Sequence, residues 1–137
     1  MFRMTPKEHL SRVKRIHDLI QDIEAEIKML NSTRDGLTGM SFDKELVQTS
    51  LTDTGLENQI ILIEQKEDRL KELRKEYQLV MADVSSRIKR IKLEQEQKVL
   101  KLRYLEFREW SDICEEMPKT QDAVYSLHKR ALNHYIC

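Results

Sequence analysis

Val13, Ile16, Ile20, Ile23, Ile27 and Leu30 recur at alternating steps of three and four. That spacing leaves one narrow apolar seam on an α-helix and polar residues everywhere else. A second seam runs through Leu56, Ile60, Ile63, Leu70, Leu73, Tyr77, Val80 and Val84, with Glu67 where an apolar residue was due. Two helices this polar bury little alone, so each seam needs a partner. An antiparallel helical hairpin, or coiled coil, supplies one within the chain; a second copy supplies one between chains. The steps of four at Val80, Val84 and Ile88 shift the phase and resemble a stutter.

Punctuation supports the same reading. Three Gly and two Pro in 137 residues are too few to close many strands. Thr5-Pro6-Lys7-Glu8 fits a capping box, with Thr5 at the N-cap and Glu8 reaching back to the cap amide. Asn31 is a plausible helix end. All the glycines, Gly36, Gly39 and Gly55, fall between Asn31 and Gly55, where no period persists. We therefore expect a loop over 31–55, with one short helical turn at Phe42 to Val47. The second helix should run from about Leu56 to about Lys98. It outlasts the first, and the surplus of its stripe favours a homodimer, unless the C-terminal part covers it.

From Leu93 the pattern changes. Val99, Leu100, Leu102, Tyr104 and Leu105 span too wide an arc for a two-stranded seam and suit a small bundle. Trp110, Ile113, Cys114 and Met117 follow, then Pro118, which stops a helix, and Thr120, which can cap the next. Ala123, Val124, Leu127, Ala131 and Leu132 again keep helical spacing. Three short helices are expected at Leu93–Glu106, Trp110–Glu116 and Gln121–Tyr135, with a tight turn between the last two. The expected fold class is all-α: residues 1–92 form the hairpin and residues 93–137 a helix-turn-helix domain.

The residues of this last part carry a family resemblance. The matching pieces are Val99 through Leu105, then Trp110-Ser111-Asp112-Ile113, then Ala123-Val124-Tyr125-Ser126-Leu127-His128-Lys129-Arg130-Ala131-Leu132. Together they resemble the promoter-reading fourth region of sigma factors. They are closer still to phage and prophage regulators that carry that region behind a helical N-terminal half. The resemblance covers about the last forty residues. It implies a DNA-binding role in phage gene expression in a bacterial host, with RNA polymerase as a further partner; the lack of a secretion signal and of a disulfide framework separately points to a reduced, cytoplasmic protein. One departure is Tyr125, where many such recognition helices carry a basic residue; its loss removes a phosphate or guanine contact.

Physical chemistry singles out the contact residues. With the apolar face turned in, Gln121, Asp122, Tyr125, Ser126 and Lys129 project outward. Lys119, Thr120, His128, Lys129 and Arg130 place donors and charge on the turn and last helix, for phosphates. Gln121 can pair with an adenine edge. Asp122 can accept from cytosine or simply favour the helix dipole. Trp110 reads as a core anchor. Glu109, Asp112, Glu115 and Glu116 make the preceding helix acidic. Arg87, Lys89, Arg90 and Lys92 form a basic run that either tracks a DNA backbone or is a solvated face.

Other classes are poorly served. Lys and Arg number 24 against 24 Asp and Glu, so no global basic field exists. No apolar run is long enough for a bilayer, so no membrane partner is expected, and Met1 to Pro6 lack the apolar stretch of a secretion signal. Cys114 and Cys137 do not form a disulfide framework, and no Cys/His spacing fits zinc. There is no glycine-rich phosphate loop and no nucleophile with a His and acid constellation. We expect no catalytic residues, no cofactor and no metal. Two other classes remain open: a coiled-coil protein-interaction module without direct DNA contact, and a structural or assembly protein.

Overall fold

The computed structural model describes the backbone of residues 4–39 and 41–137 and the side chains of 4–33 and 55–137. The protein is all-α, and no strand occurs among the described residues. Helix α1 spans Pro6–Gly39 and α2 spans Ser41–Lys89. Helix α3 (Glu94–Leu100) runs into a π-helical turn, Lys101–Leu105. Helices α4 (Trp110–Glu116) and α5 (Gln121–His134) complete the chain.

Thr5 caps α1 as expected, whereas the Glu8 carboxylate meets the Thr5 hydroxyl in place of the expected cap amide. The Glu8 amide donates to Thr5 Oγ1 at 3.2 Å, and the Thr5 hydroxyl donates to Glu8 Oε1 at 3.0 Å. The expected end at Asn31 and the expected loop over 31–55 do not occur, because the backbone is helical up to Gly39 and again from Ser41. The physical reason is the absence of proline from this stretch. A glycine costs a helix only about 1 kcal/mol relative to alanine, whereas proline costs about 3 and removes a donor.

The chain divides into two compact units, Asp18–Lys75 and the pair of segments Met1–His17 and Glu76–Cys137. Within Asp18–Lys75, Ile63, Leu70 and Leu73 are buried, and Ile20, Ile23, Ile27 and Leu30 are half-buried along the α1 seam. Glu24 pairs with Arg74 at 3.1 Å and Glu26 pairs with Lys66, so the two helical segments run in opposite directions. Glu67, the polar interruption, is exposed.

The other unit has one core. Leu10 and Val13 of α1, and Val84 and Ile88 of α2, join Val99, Leu100, Ile113, Val124 and Ala131, all fully buried. Leu102 and Leu127 belong to the same cluster. The sequence boundary at 92/93 therefore differs from the packing, which draws the start of α1 and the end of α2 into the C-terminal core. The apolar surplus of α2 at Val84, Ile88 and Ile91 is covered here, so it no longer argues for a homodimer.

Helix α2 ends at Lys89 rather than near Lys98, with neither Gly nor Pro to stop it. The amides of Arg90 and Ile91 donate to the carbonyls three residues back, at 3.2 and 3.0 Å, and tighten the last turn. The Gln97 side-chain amide then donates to the Ile91 carbonyl. Turning the chain buries Ile91 beside Ile88, and that apolar gain competes with continuing a solvated helix.

Candidate nucleic-acid interface

Helices α4 and α5 are joined by residues 117–120. Met117 is buried and leaves the helical region (φ −109°, ψ 93°), as expected before Pro118. Thr120 is extended and its Oγ1 accepts from the Ala123 amide at 3.2 Å, so the expected cap is present. Helix α5 turns Val124, Leu127 and Ala131 into the core and packs on α3 and α4.

The opposite side of α5 is open. Lys119, Thr120, Gln121, Asp122, Tyr125, Ser126, Lys129 and Arg130 are all exposed. Gln121, Tyr125 and Lys129 follow one another at steps of four and form a single stripe, with Asp122, Ser126 and Arg130 beside it. Within that stripe Gln121 Nε2 donates to Tyr125 Oη at 2.7 Å. Asp122 lies in the first turn, where a carboxylate suits the dipole. The acidic residues Glu109, Asp112, Glu115 and Glu116 are also exposed, around α4.

His128 departs from the expected outward set. It follows Val124 by four residues and so lies at the edge of the apolar face. Its Nε2 shares a 2.7 Å hydrogen bond with Tyr104 Oη, its ring stacks on Tyr104, and Trp110 meets it edge-on at 4.8 Å. Burial, with the charges of Lys7 and Arg103 nearby, lowers its pKa to about 4. The ring is therefore neutral at pH 7 and offers no charge to a phosphate. Burial likewise raises the Tyr104 hydroxyl, against the pull of Arg103.

Trp110 is half-buried and packs on the core, as an anchor should. It also touches Tyr125 edge-on at 5.1 Å, and the Arg103 guanidinium lies over its ring at 4.6 Å. The chain reaches Trp110 through Phe107, whose φ of 58° is left-handed. The Glu106 and Arg108 amides close the π-helical turn onto the carbonyls of Lys101 and Leu102, each at 2.9 Å. Glycine normally takes such a position, so the sequence carries no sign of it.

A polar cluster ties the unit's distant segments together. Asp83 accepts from Arg87 at 2.9 Å and from Arg12 at 3.2 Å. Burial would raise its pKa, but the two guanidiniums outweigh it and hold the carboxyl below the usual range. Arg87 also donates to the Ile136 carbonyl at 3.0 Å. One member of the basic run at 87–92 is thus committed to structure, while Lys89, Arg90 and Lys92 are exposed. Arg12 donates to His9 Nε2 at 2.8 Å. A guanidinium can only donate, so Nδ1 carries the His9 hydrogen and donates to Tyr135 Oη at 2.7 Å. Burial, Arg12 and Arg87 lower the His9 pKa.

Glu96 is fully buried on α3, a placement its polar neighbours hide in the sequence. Its Oε1 shares a 2.6 Å hydrogen bond with His134 Nδ1, and its Oε2 has no hydrogen bond among the described residues. No group of His, Cys, Asp and Glu suited to a metal occurs among the described residues. None of their helices is long and apolar enough to cross a membrane. No family model, no curated protein and no solved structure matches this chain.

Proposed function

We propose that the protein binds double-stranded DNA through α5 and the turn before it, as a transcription regulator of phage or prophage genes. One observation carries the reading: the side of α5 that bears Gln121, Tyr125, Ser126, Lys129 and Arg130 is solvent-exposed, while its other side fills the core. A capped, core-anchored helix with an open polar face suits a major groove. Lys119, Lys129 and Arg130 would meet phosphates, and Gln121 and Ser126 would reach base edges. Tyr125, paired with Gln121, orders that side chain before DNA arrives. Promoter DNA and RNA polymerase as a further partner follow from the sigma-like resemblance, and the cytoplasm of a bacterial host is where both would be met.

A gel shift on promoter fragments from the protein's own genome, repeated across salt concentrations, tests this. Binding should weaken as salt rises, and each of Lys129→Ala and Arg130→Ala should reduce the slope of log K against log salt by about 0.9. Absence of binding at low salt, or unchanged slopes in both variants, refutes the reading.

A separate observation favours a protein partner for the other unit. Ile60, Ile61 and Leu62 are successive apolar residues with 40, 52 and 39% of their surfaces exposed. A second copy of the chain, meeting that stretch as a homodimer, would cover them. Sedimentation of Ile61→Glu beside the native chain tests it: a native dimer that becomes monomeric supports the contact, and a monomeric native chain removes it.

A further inference from the structure

Lys7 and Lys14 on α1 and Arg103 on the π-helical turn line one cleft of about 210 Å³, with the Trp110 ring in its wall. Three cations from sections of chain nearly a hundred residues apart therefore line the same cleft, and Glu109 is the acidic residue among its described lining. The Ser11 hydroxyl lies in the same lining. The volume is below the roughly 300–1,000 Å³ typical of sites for small organic ligands, and better suited to a group the size of a phosphate. The Arg103 guanidinium is held in place. Arg103 is over Trp110 and donates to the Arg108 carbonyl at 2.9 Å. The cleft also adjoins the α5 face, since Trp110 touches both Tyr125 and His128.

We propose that this cleft binds a phosphate group, and that on DNA the group is a backbone phosphate flanking the segment met by α5. The inference rests on the DNA-binding reading for the source of the phosphate, but not for the chemistry of the cleft. It gives the start of α1 a direct part in binding. A docked phosphate accepts from the Lys7 and Lys14 ammoniums and from the Arg103 guanidinium, as charge-assisted hydrogen bonds. The contact is independent of base sequence and fixes orientation. It also supplies cationic contact that the Tyr125 position lacks.

Trp110 is the only tryptophan in the chain, so its fluorescence reports on the cleft. Two titrations are compared, one with a promoter duplex and one with inorganic phosphate. Each is run on the native chain, on Lys7→Ala/Lys14→Ala, and on Lys7→Arg, which keeps the charge. Lys7 and Lys14 are exposed, so the variants should fold, and a thermal melt confirms it. The double variant should reduce the duplex salt slope by about one phosphate's worth, roughly 0.9, and weaken binding about tenfold at 0.15 M salt, while Lys7→Arg binds as the native chain does. Duplex binding with an unchanged slope in the double variant overturns the cleft and leaves the α5 reading standing. Absence of duplex binding, with a phosphate response that the double variant abolishes, sustains a phosphate site and removes DNA as its source. No response of the native chain to either ligand overturns both.

Discussion

His128 couples the α5 helix to pH. Its neutral ring is the form the fold accommodates, so protonation favours the unfolded chain. The stability it contributes is complete above the unfolded pKa of 6.5 and is lost as pH falls toward about 4. Because the ring is only half-buried and partly screened, the loss across that window should be about 1–2 kcal/mol. His9, lowered in the same direction by burial, adds to the same slope, whereas Asp83 acts only below its ordinary 3.8. Urea melts from pH 7 to pH 4 should show a shallower decline for His128→Phe than for the native chain; equal declines would remove His128 as the cause. At Glu96 the expected order of two substitutions is informative. Glu96→Met fills the buried site with an apolar side chain and should be neutral or mildly stabilising. His134→Ala leaves the whole carboxyl without a partner and should cost about 1–3 kcal/mol. The reverse order in urea melts at pH 7 would show that the pair stabilises through its charges.

The short helices were legible because their signals are local. Pro118 and Thr120 are strong punctuation, and the spacing of Val124, Leu127 and Ala131 allows only one inner face. The same spacing held the sign for His128, one helical turn beyond Val124, but a histidine's chemistry pointed outward. Over 31–55 glycine, serine and threonine resemble loop punctuation, yet without proline nothing blocks a helix there. Gly55 tests this directly. It lies inside α2, and an added Cβ there meets nothing within 4 Å. Gly55→Ala should therefore stabilise by about 0.5–1 kcal/mol in a thermal melt. A loss of stability would place Gly55 outside a helix. The left-handed Phe107 and the stop at Lys89 left no sign in the sequence, since neither carries a glycine or proline; at Lys89 the packing of Ile91 and the Gln97 side chain decide the stop, and at Phe107 the amides on either side close back onto Lys101 and Leu102.

At the scale of the molecule, the C-terminal helices are not self-sufficient. Leu10 and Val13 are fully buried among Val99, Leu100 and Val124, so the first turns of α1 complete a core built mostly from the last third of the chain. Pattern reading finds each seam but not which elements share a core, because that choice is made by contacts distant in sequence. Leu10→Ala should cost about 2–5 kcal/mol and loosen α3 to α5 together, seen as lost amide-exchange protection across them. Protection unchanged in α5 would mean residues 93–137 fold alone. That shared core seats the inner side of α5, and the proposed function turns on whether the exposed side meets a duplex. Amide chemical shifts of the full chain, recorded with and without a promoter duplex at low salt, address it most directly. Perturbations should gather on residues 119–130 and leave Glu24 to Lys66 unmoved; shifts absent from α5, or confined to Ile60 to Leu62, would contradict a DNA-binding role for this face.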